Sequence, residues 1–271
     1  DGKRQVTYRG RPLYYYVDHT AFWFASEPKA ILRDPDVPRE PDPTAIHDYL
    51  TYQYVPSPLS AFRGFRKLPP AHYLLVEPGQ PPRVQRYWKL RYGQKVHPRS
   101  EAALCEELRE RLREAVRLRM ISDVPLGAFL SGGLDSSAVV ALMSEVSRRP
   151  VKTFSIGFEE AEYNELPYAR RVAQQFQTEH HEFIVKPNAL DVLPRLVWHY
   201  NEPYADSSAL PTWYLSQLAR EHVTVALNGD AGDENFAGYP RHLAIQRAQR
   251  FHQLPRWIRG GILQASRLIP D

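Results

Sequence analysis

The sequence predicts an α/β protein with a doubly wound parallel sheet, preceded by part of an α+β domain. From about residue 100 onward, strand-like segments alternate with helix-like segments, which is typical of a parallel sheet covered by helices. The first 90 residues instead contain short aromatic strands without this alternation. Between Val124 and Arg148, an apolar strand, a glycine turn and a helix follow one another, as expected at the ligand-binding edge of an α/β sheet.

The composition is that of a globular protein. Of the 271 residues, 43% are hydrophobic and 24% are charged, which suits one large domain or two ordinary ones. We expect a cytoplasmic protein without a membrane partner, because no apolar stretch reaches membrane-spanning length and Asp1–Arg4 does not begin a signal peptide. The single cysteine, Cys105, excludes a disulfide framework and a cysteine-built metal site, and its helical neighbours predict a packed thiol.

The first domain is assigned to residues 1–90. A short helix near residues 27–32 and a capped helix near residues 44–52 lie among its strands, on either side of a proline-rich crossing. The strands are predicted at residues 13–17, 21–25, 71–76 and 84–87. Because they start so abruptly, we expect the C-terminal portion of a longer domain.

The polar residues 91–99 predict a linker, and residues 100–271 form the second domain. Ser100 begins a helix that runs through Met120, with a buried face from Leu104 to Val116. Its arginines and glutamates interleave at helical spacing, which predicts an ion-paired, solvated face. The later elements are strands at 151–158, 181–185 and 223–227, and helices at 165–176, 190–200 and 210–221.

The first candidate loop is Ser131–Ser137, with the sequence SGGLDSS. Gly132 and Gly133 have no Cβ, so the turn can adopt positive φ and bring an anion close to backbone amides. Asp135 and Ser136 fall at the helix start, where unpaired amides and the helix dipole bind phosphate oxygens. The turn lacks the lysine of the GxxxxGK(S/T) loop. It is therefore interpreted as a phosphate site of another kind, the alternative being a well-capped helix start without a ligand.

The second candidate loop is Asn228–Glu234, which places three carboxylates and two glycines directly after a predicted strand. Crowded carboxylates repel one another unless a cation or a basic ligand joins them. Ligands of parallel sheets bind at the carboxyl ends of strands, so the two loops are candidates for one site. The alternative is a solvent-exposed acidic turn.

Together the two loops resemble the asparagine synthetase family of glutamine-dependent amidotransferases. The family's LSGGLDSS is matched by Leu130–Ser137, which is the PP-loop motif of the ATP pyrophosphatases. Its SGDGGDELFGGY is matched by Asn228–Tyr239, with Asn228, Ala231 and Ala237 replacing a serine and two glycines. Further similar segments lie at residues 12–15, 24–30, 67–73, 122–125, 153–158 and 202–212.

The resemblance implies the fold and activity of a two-domain enzyme. Residues 1–90 would belong to an N-terminal-nucleophile glutaminase that releases ammonia from glutamine. Residues 100–271 would form an adenine nucleotide alpha hydrolase-like synthetase. This synthetase would use ATP and Mg²⁺ to adenylate the side-chain carboxylate of aspartate, and ammonia would then displace AMP. The implied partners are these small molecules, with no nucleic acid or membrane, and the family is compatible with a homodimer.

The resemblance also implies roles for individual residues, which are transferred position by position. The adenosine part of ATP would contact Leu130, Ile156, Asn228 and Gly229, and the pyrophosphate would be held by Ser131, Gly132, Gly133, Asp135 and Ser136. Asp135 and Asp233 would share Mg²⁺, and Asp230 would be the acidic residue of the adenylation step. The acceptor pocket would involve Asp206, Ser207 and Ser208.

Departures from the family pattern leave other functions open. The family's glutaminase uses an N-terminal cysteine as its nucleophile, whereas this chain begins with Asp1, so we expect no glutamine hydrolysis by the chain alone. The family's synthetase domain is also longer, so we expect a C-terminally truncated domain. The alternatives are a family member with another carboxylate acceptor, a tRNA-modifying enzyme with the same PP-loop, and an inactive scaffold that binds no ATP.

Overall fold

The computed structural model describes residues 4–6, 12–91, 93, 100–158, 164–186, 188–255 and 258–260. They form two compact units. The first unit comprises Asp1–Glu101 and Lys186–Tyr214, and the second comprises Ala102–Val185 and Leu215–Asp271. Most of the predicted linker at 91–99 lies outside the described residues, and the assignment of two domains at 1–90 and 100–271 stays a prediction.

The structure contains strands of two to six residues and helices of four to nineteen residues. In chain order they are β1 (Arg4–Val6), β2 (Tyr14–Val17), β3 (Phe22–Ala25), α1 (Pro28–Ile31), α2 (Pro43–Tyr52), β4 (Arg66–Lys67), β5 (His72–Val76), β6 (Arg83–Arg86), α3 (Glu101–Arg119), β7 (Leu126–Phe129), α4 (Leu134–Val146), β8 (Lys152–Gly157), α5 (Leu166–Gln175), β9 (Glu179–Ile184), α6 (Ala189–Tyr200), α7 (Ala209–Ala219), β10 (Val225–Leu227), α8 (Gly232–Phe236) and α9 (Pro240–Gln253).

The first unit contains two antiparallel three-stranded sheets, with strand orders β1-β5-β6 and β3-β2-β4. Tyr14 of β2 packs with Ile31, Val37 and Phe65 in a buried cluster. Helix α2 begins after Asp42, whose carboxylate accepts hydrogen bonds from the amides of the first turn. The four strands expected here are confirmed, whereas the short strands β1 and β4 were not predicted.

The second unit contains a parallel sheet with the strand order β10-β7-β8-β9. Consecutive residues of β7 face opposite sides of this sheet. Ala128 lies in a core with residues of α3, α4 and α5. Phe129 of β7 packs with Phe154, Ala219 and Val223 in a second core. Helices therefore cover both faces, and the predicted doubly wound parallel sheet is confirmed.

The strand order brings the two candidate loops to one place. From β7 the chain adds β8 and β9 on one side, and β10 then pairs on the other side of β7. Such a reversal is a topological switch point, where a crevice opens at the carboxyl ends of the two strands. The residues after β7 are Ser131–Ser137, and those after β10 are Asn228–Glu234.

Helix α3 differs from the sequence-based expectation. Leu104 and Leu108 are 39% and 40% exposed, and Cys105 is exposed as well, so the predicted buried face over this half and the packed thiol are wrong. Only the C-terminal half packs on the core, where Val116 is buried. A helical pattern shows which residues share a face of the helix, but it does not show which part of the helix packs on the core.

The other face of α3 agrees with the prediction. Arg111 binds Glu107 at 2.7 Å and Arg117 binds Glu114 at 2.6 Å. These pairs are exposed, so each contributes little to stability.

Within the described parts of the chain, no helix combines the length and the apolar character needed to cross a membrane.

Candidate functional site

The turn after β7 requires glycine at its first bend. Gly132 has a φ of +82°, and a Cβ on it would lie 2.5 Å from both the Ala169 amide nitrogen and Tyr168 Cβ. The first turn of α5 therefore packs directly against the bare backbone of this residue. The contribution of Tyr168 was not predicted, because a helical tyrosine carries no sequence signal for such a contact.

Helix α4 starts without a side-chain cap, because its N-cap is Gly133. The Ser131 and Ser136 hydroxyls lie 2.9 Å apart and bond each other. Ser131 Oγ also accepts a hydrogen bond from the Gly133 amide at 3.2 Å. Among the described residues, the buried Ser137 Oγ has no partner. An uncapped helix start with preordered hydroxyls and an orphaned buried hydroxyl fits a phosphate group.

The loop after β10 packs on this helix start. A Cβ on Gly229 would lie 2.7 Å from the Ser136 amide nitrogen. A Cβ on Gly232 would lie 2.2 Å from Asp135 Cγ. The Asp135 carboxylate therefore rests against the backbone of the second loop at Gly232. The structure thus brings the two loops together at Asp135.

The predicted adenosine residues differ in exposure. Leu130 is 1% exposed and lies in the core, and its amide donates to the Phe154 carbonyl at 2.9 Å. Ile156 is partly exposed and Asn228 is exposed. Asn228 Nδ2 donates to Asp230 Oδ2 at 2.6 Å, which fixes the carboxylate of the predicted adenylation residue.

The remaining carboxylates of the loop have separate surroundings. Glu234 accepts a hydrogen bond from the Tyr239 hydroxyl at 2.7 Å, and this bond lowers the pKa of Glu234. The Asp233 carboxylate lies against Gly238, because a Cβ on that glycine would overlap Asp233 Oδ1. Among the described residues, no three His, Cys, Asp or Glu side chains form a metal-binding group. Mg²⁺ typically binds one or two carboxylates together with substrate phosphates. The Asp135 carboxylate, which rests against Gly232 of the acidic loop, suits this role, and its pairing with Asp233 stays a prediction.

Most of the second loop was expected to be irregular, yet it contains the short helix α8. Both residues that flank α8 adopt left-handed backbone conformations, with φ of 71° at Ala231 and 60° at Ala237. These are the two positions at which the family pattern has glycine. Alanine is strained in this region because its Cβ approaches the neighbouring carbonyl.

Replacing Ala231 with glycine is therefore expected to stabilise the protein, by about 1 kcal/mol. The free energy of unfolding, measured by urea titration, would show the gain. The matched control is Ala244→Gly on the exposed face of α9, where glycine should lower stability by about 1 kcal/mol. A loss of stability at both positions would show that Ala231 is not strained.

The predicted acceptor residues lie in the first unit. Asp206 accepts hydrogen bonds from the Ser208 amide at 2.8 Å and the Tyr204 hydroxyl at 3.2 Å. Its bonds with Ser208 contribute most to lowering the pKa of Asp206. Asp206 and Ser207 line a mainly apolar groove of about 680 Å³. Its walls also include Ile46, Tyr49, Phe62, Leu193, Val197 and Tyr200. The predicted ATP residues, by contrast, all lie in the second unit.

Comparison with known families agrees with this arrangement of motifs. The asparagine synthase family model matches residues 107–269. The model of a glutamine amidotransferase domain matches residues 8–88. A crevice formed by a PP-loop and an acidic loop is typical of the PP-loop class of ATP-using enzymes. The chain belongs to the asparagine synthase family.

Individual relatives point the same way. The chain is 39% identical over 254 residues to a protein of Methanocaldococcus jannaschii named as a glutamine-hydrolysing asparagine synthetase, covering 92% of this chain and 49% of the relative. It is 32% identical over 263 residues to asparagine synthetase 1 of Bacillus subtilis, covering 96% and 41%. It is 30% identical over 214 residues to the amidase chyE of Penicillium rubens, covering 72% and 32%. The chain thus spans half or less of the length of these relatives.

Proposed function

We propose that this chain carries the ATP-binding part of a glutamine-dependent asparagine synthetase, which activates the side-chain carboxylate of aspartate as an acyl-adenylate. The observation that carries the proposal is the contact between the two loops at Asp135, where Gly232, which has no Cβ, leaves room for the carboxylate. One loop offers the amides of a helix start to phosphate, and the other offers carboxylates to a cation.

The chain's own residues would act mainly by binding and positioning. The uncapped first turn of α4, with Ser131 and Ser136, would hold the β- and γ-phosphates as the pyrophosphate leaves. Asp135 and Asp233 would hold Mg²⁺, which offsets the charge of the leaving group when bound. Asp230, whose carboxylate accepts a hydrogen bond from Asn228 Nδ2, would be the acidic residue of the adenylation step. Ammonia would then displace AMP from the acyl-adenylate and form the amide.

A second candidate keeps the adenylation and changes the acceptor. The groove beside Asp206 and Ser207 is mainly apolar, and no lysine or arginine belongs to its described lining. A free aspartate would need a cation for its second carboxylate, so this lining favours a less polar carboxylic acid.

ATP–pyrophosphate exchange tests the proposal. With Mg²⁺ and aspartate, the wild-type chain should incorporate labelled pyrophosphate into ATP, and Asp135→Ala should reduce this rate by about a hundredfold or more. The matched control is Asp36→Ala, which removes an exposed carboxylate of the first unit and should leave the rate unchanged.

Two results would contradict the proposal. Absence of ATP binding by calorimetry would favour a scaffold, and equal exchange in Asp135→Ala and wild type would remove Asp135 from the site. Exchange stimulated by an apolar carboxylic acid but not by aspartate would favour the second candidate.

A further inference from the structure

A buried ion pair joins distant parts of the chain within the first unit. Lys67 Nζ lies 2.5 Å from Glu202 Oε2, and the two side chains are only 15% and 8% exposed. The other carboxylate oxygen, Oε1, accepts a hydrogen bond from the Ala61 amide at 2.8 Å. Lys67 Nζ also donates to the Val55 carbonyl at 2.7 Å. The Tyr14 hydroxyl completes the cluster at 3.4 Å from Glu202 Oε2.

The cluster has the features of a fixed anchor. A buried charge is strongly destabilising when it lacks partners, and here both Glu202 oxygens and the Lys67 ammonium are engaged by named atoms. Burial and the negative charge of Glu202 raise the pKa of Tyr14, so its hydroxyl stays protonated as a donor. Removing the charge of Glu202 leaves Lys67 buried without a counterion, which should loosen the cluster.

Glu202 directly precedes the loop that carries the predicted acceptor residues. The loop has a second attachment, because the Ala205 amide donates to the Gln53 carbonyl at 2.9 Å. Asp206 follows at once, and its carboxylate accepts a hydrogen bond from the Ser208 amide two residues further along the chain. The path from the anchor to Asp206 is only four residues long, so we expect a shift at Glu202 to reach Asp206.

We propose that Glu202 is a positioning residue that, through its ion pair with Lys67, fixes the 203–208 loop and thereby sets the affinity for the carboxylate acceptor. The part that concerns the acceptor rests on the proposed function, whereas the fixing of the loop does not. The alternative is that the ion pair stabilises the first unit as a whole and has no specific effect on the 203–208 loop.

The test combines hydrogen–deuterium exchange with exchange kinetics on the full chain. In Glu202→Gln, which keeps the side-chain shape, amide exchange of the 203–208 loop, measured at the amides of Tyr204–Ser208, should rise by about tenfold or more, while exchange of the 228–234 loop is unchanged. In the ATP–pyrophosphate assay, the KM for the acceptor should rise by about tenfold and the KM for ATP should stay constant. Lys67→Arg, which keeps the charge, should retain most of the wild-type behaviour.

Controls separate positioning from general destabilisation. Arg63→Met breaks an exposed ion pair with Glu40 in the same unit. It should change neither the amide exchange of the 203–208 loop nor the KM for the acceptor. Tyr14→Phe removes only the longest contact, so it keeps the fold and should raise exchange of 203–208 by a smaller factor, about twofold to threefold. This variant decides the question if Glu202→Gln does not fold.

Three results would overturn the inference. The first is unchanged amide exchange of the 203–208 loop in both Glu202→Gln and Tyr14→Phe. The second is an equal rise of amide exchange throughout the first unit. The third is a KM for ATP that rises as much as the KM for the acceptor. If wild type shows no pyrophosphate exchange with any carboxylate, the proposed function fails, and the amide exchange of 203–208 still decides whether Glu202 fixes the loop.

Discussion

Gly232→Ala is expected to reduce Mg²⁺-dependent ATP–pyrophosphate exchange by about a hundredfold while the chain stays folded. The new Cβ would lie 2.2 Å from Asp135 Cγ and 2.4 Å from Oδ2. These atoms end a flexible side chain, so the carboxylate can swing away at little conformational cost. It would then leave the position from which, in the proposed function, it binds Mg²⁺.

Two glycines provide the comparison. A Cβ on Gly229 would meet the Ser136 amide nitrogen at 2.7 Å. Backbone cannot move aside, so Gly229→Ala should also lower stability, by about 1–3 kcal/mol. On Gly93 a Cβ meets nothing within 4 Å among the described residues, so Gly93→Ala should be silent. Wild-type exchange rates in Gly232→Ala would show that Asp135 does not act from this position.

Phe154→Ala should lower the free energy of unfolding by about 3–5 kcal/mol, the usual effect of deleting a fully buried aromatic ring. Phe154 is 0% exposed. Its ring stacks on His181 with centroids 5.3 Å apart and packs against Ala219 and Val223. The change would leave a cavity under the middle of the parallel sheet, and urea titration followed by circular dichroism would measure the loss.

Phe24→Ala is the matched control, because Phe24 is 52% exposed on β3. It should change stability by about 0.5 kcal/mol or less. Equal effects of the two substitutions would mean that the β8 core does not carry the stability of the second unit. The rate of ATP–pyrophosphate exchange should also fall in Phe154→Ala. The reason is that the Leu130 amide, directly before the PP-loop, donates a hydrogen bond to the Phe154 carbonyl.

The sequence was most informative where local pattern and global fold agree. Alternation of strands and helices predicted the parallel sheet, which the structure confirms. The ligand site at the glycine turn Ser131–Ser137 stays a prediction. Strand β4 was missed because a two-residue strand has no periodicity to detect. Helix α8 was missed because glycine and aspartate favour turns over helices, and the helix is only five residues long.

The parts of the site that depend on long-range contacts could not be predicted. Nothing in the sequence around Glu202 shows that its carboxylate is buried with Lys67, since the two residues are brought together by the fold alone. Cys105 illustrates the opposite case, since its apolar neighbours suggested burial and the helix extends beyond the core there. The substitution of alanine for glycine at Ala231 was visible in the sequence, but the positive φ was not.

The position of β10 in the sheet also has a consequence for how the protein folds. Val225 pairs with Leu126, its neighbour in space although nearly a hundred residues away in the chain, and the intervening Lys186–Tyr214 belongs to the other unit. Closing such a long loop is entropically unfavourable and slow, so β10 should join after β7, β8 and β9 have paired. The acidic loop arrives with β10, and nucleotide affinity during refolding would therefore appear only once the last strand is in place.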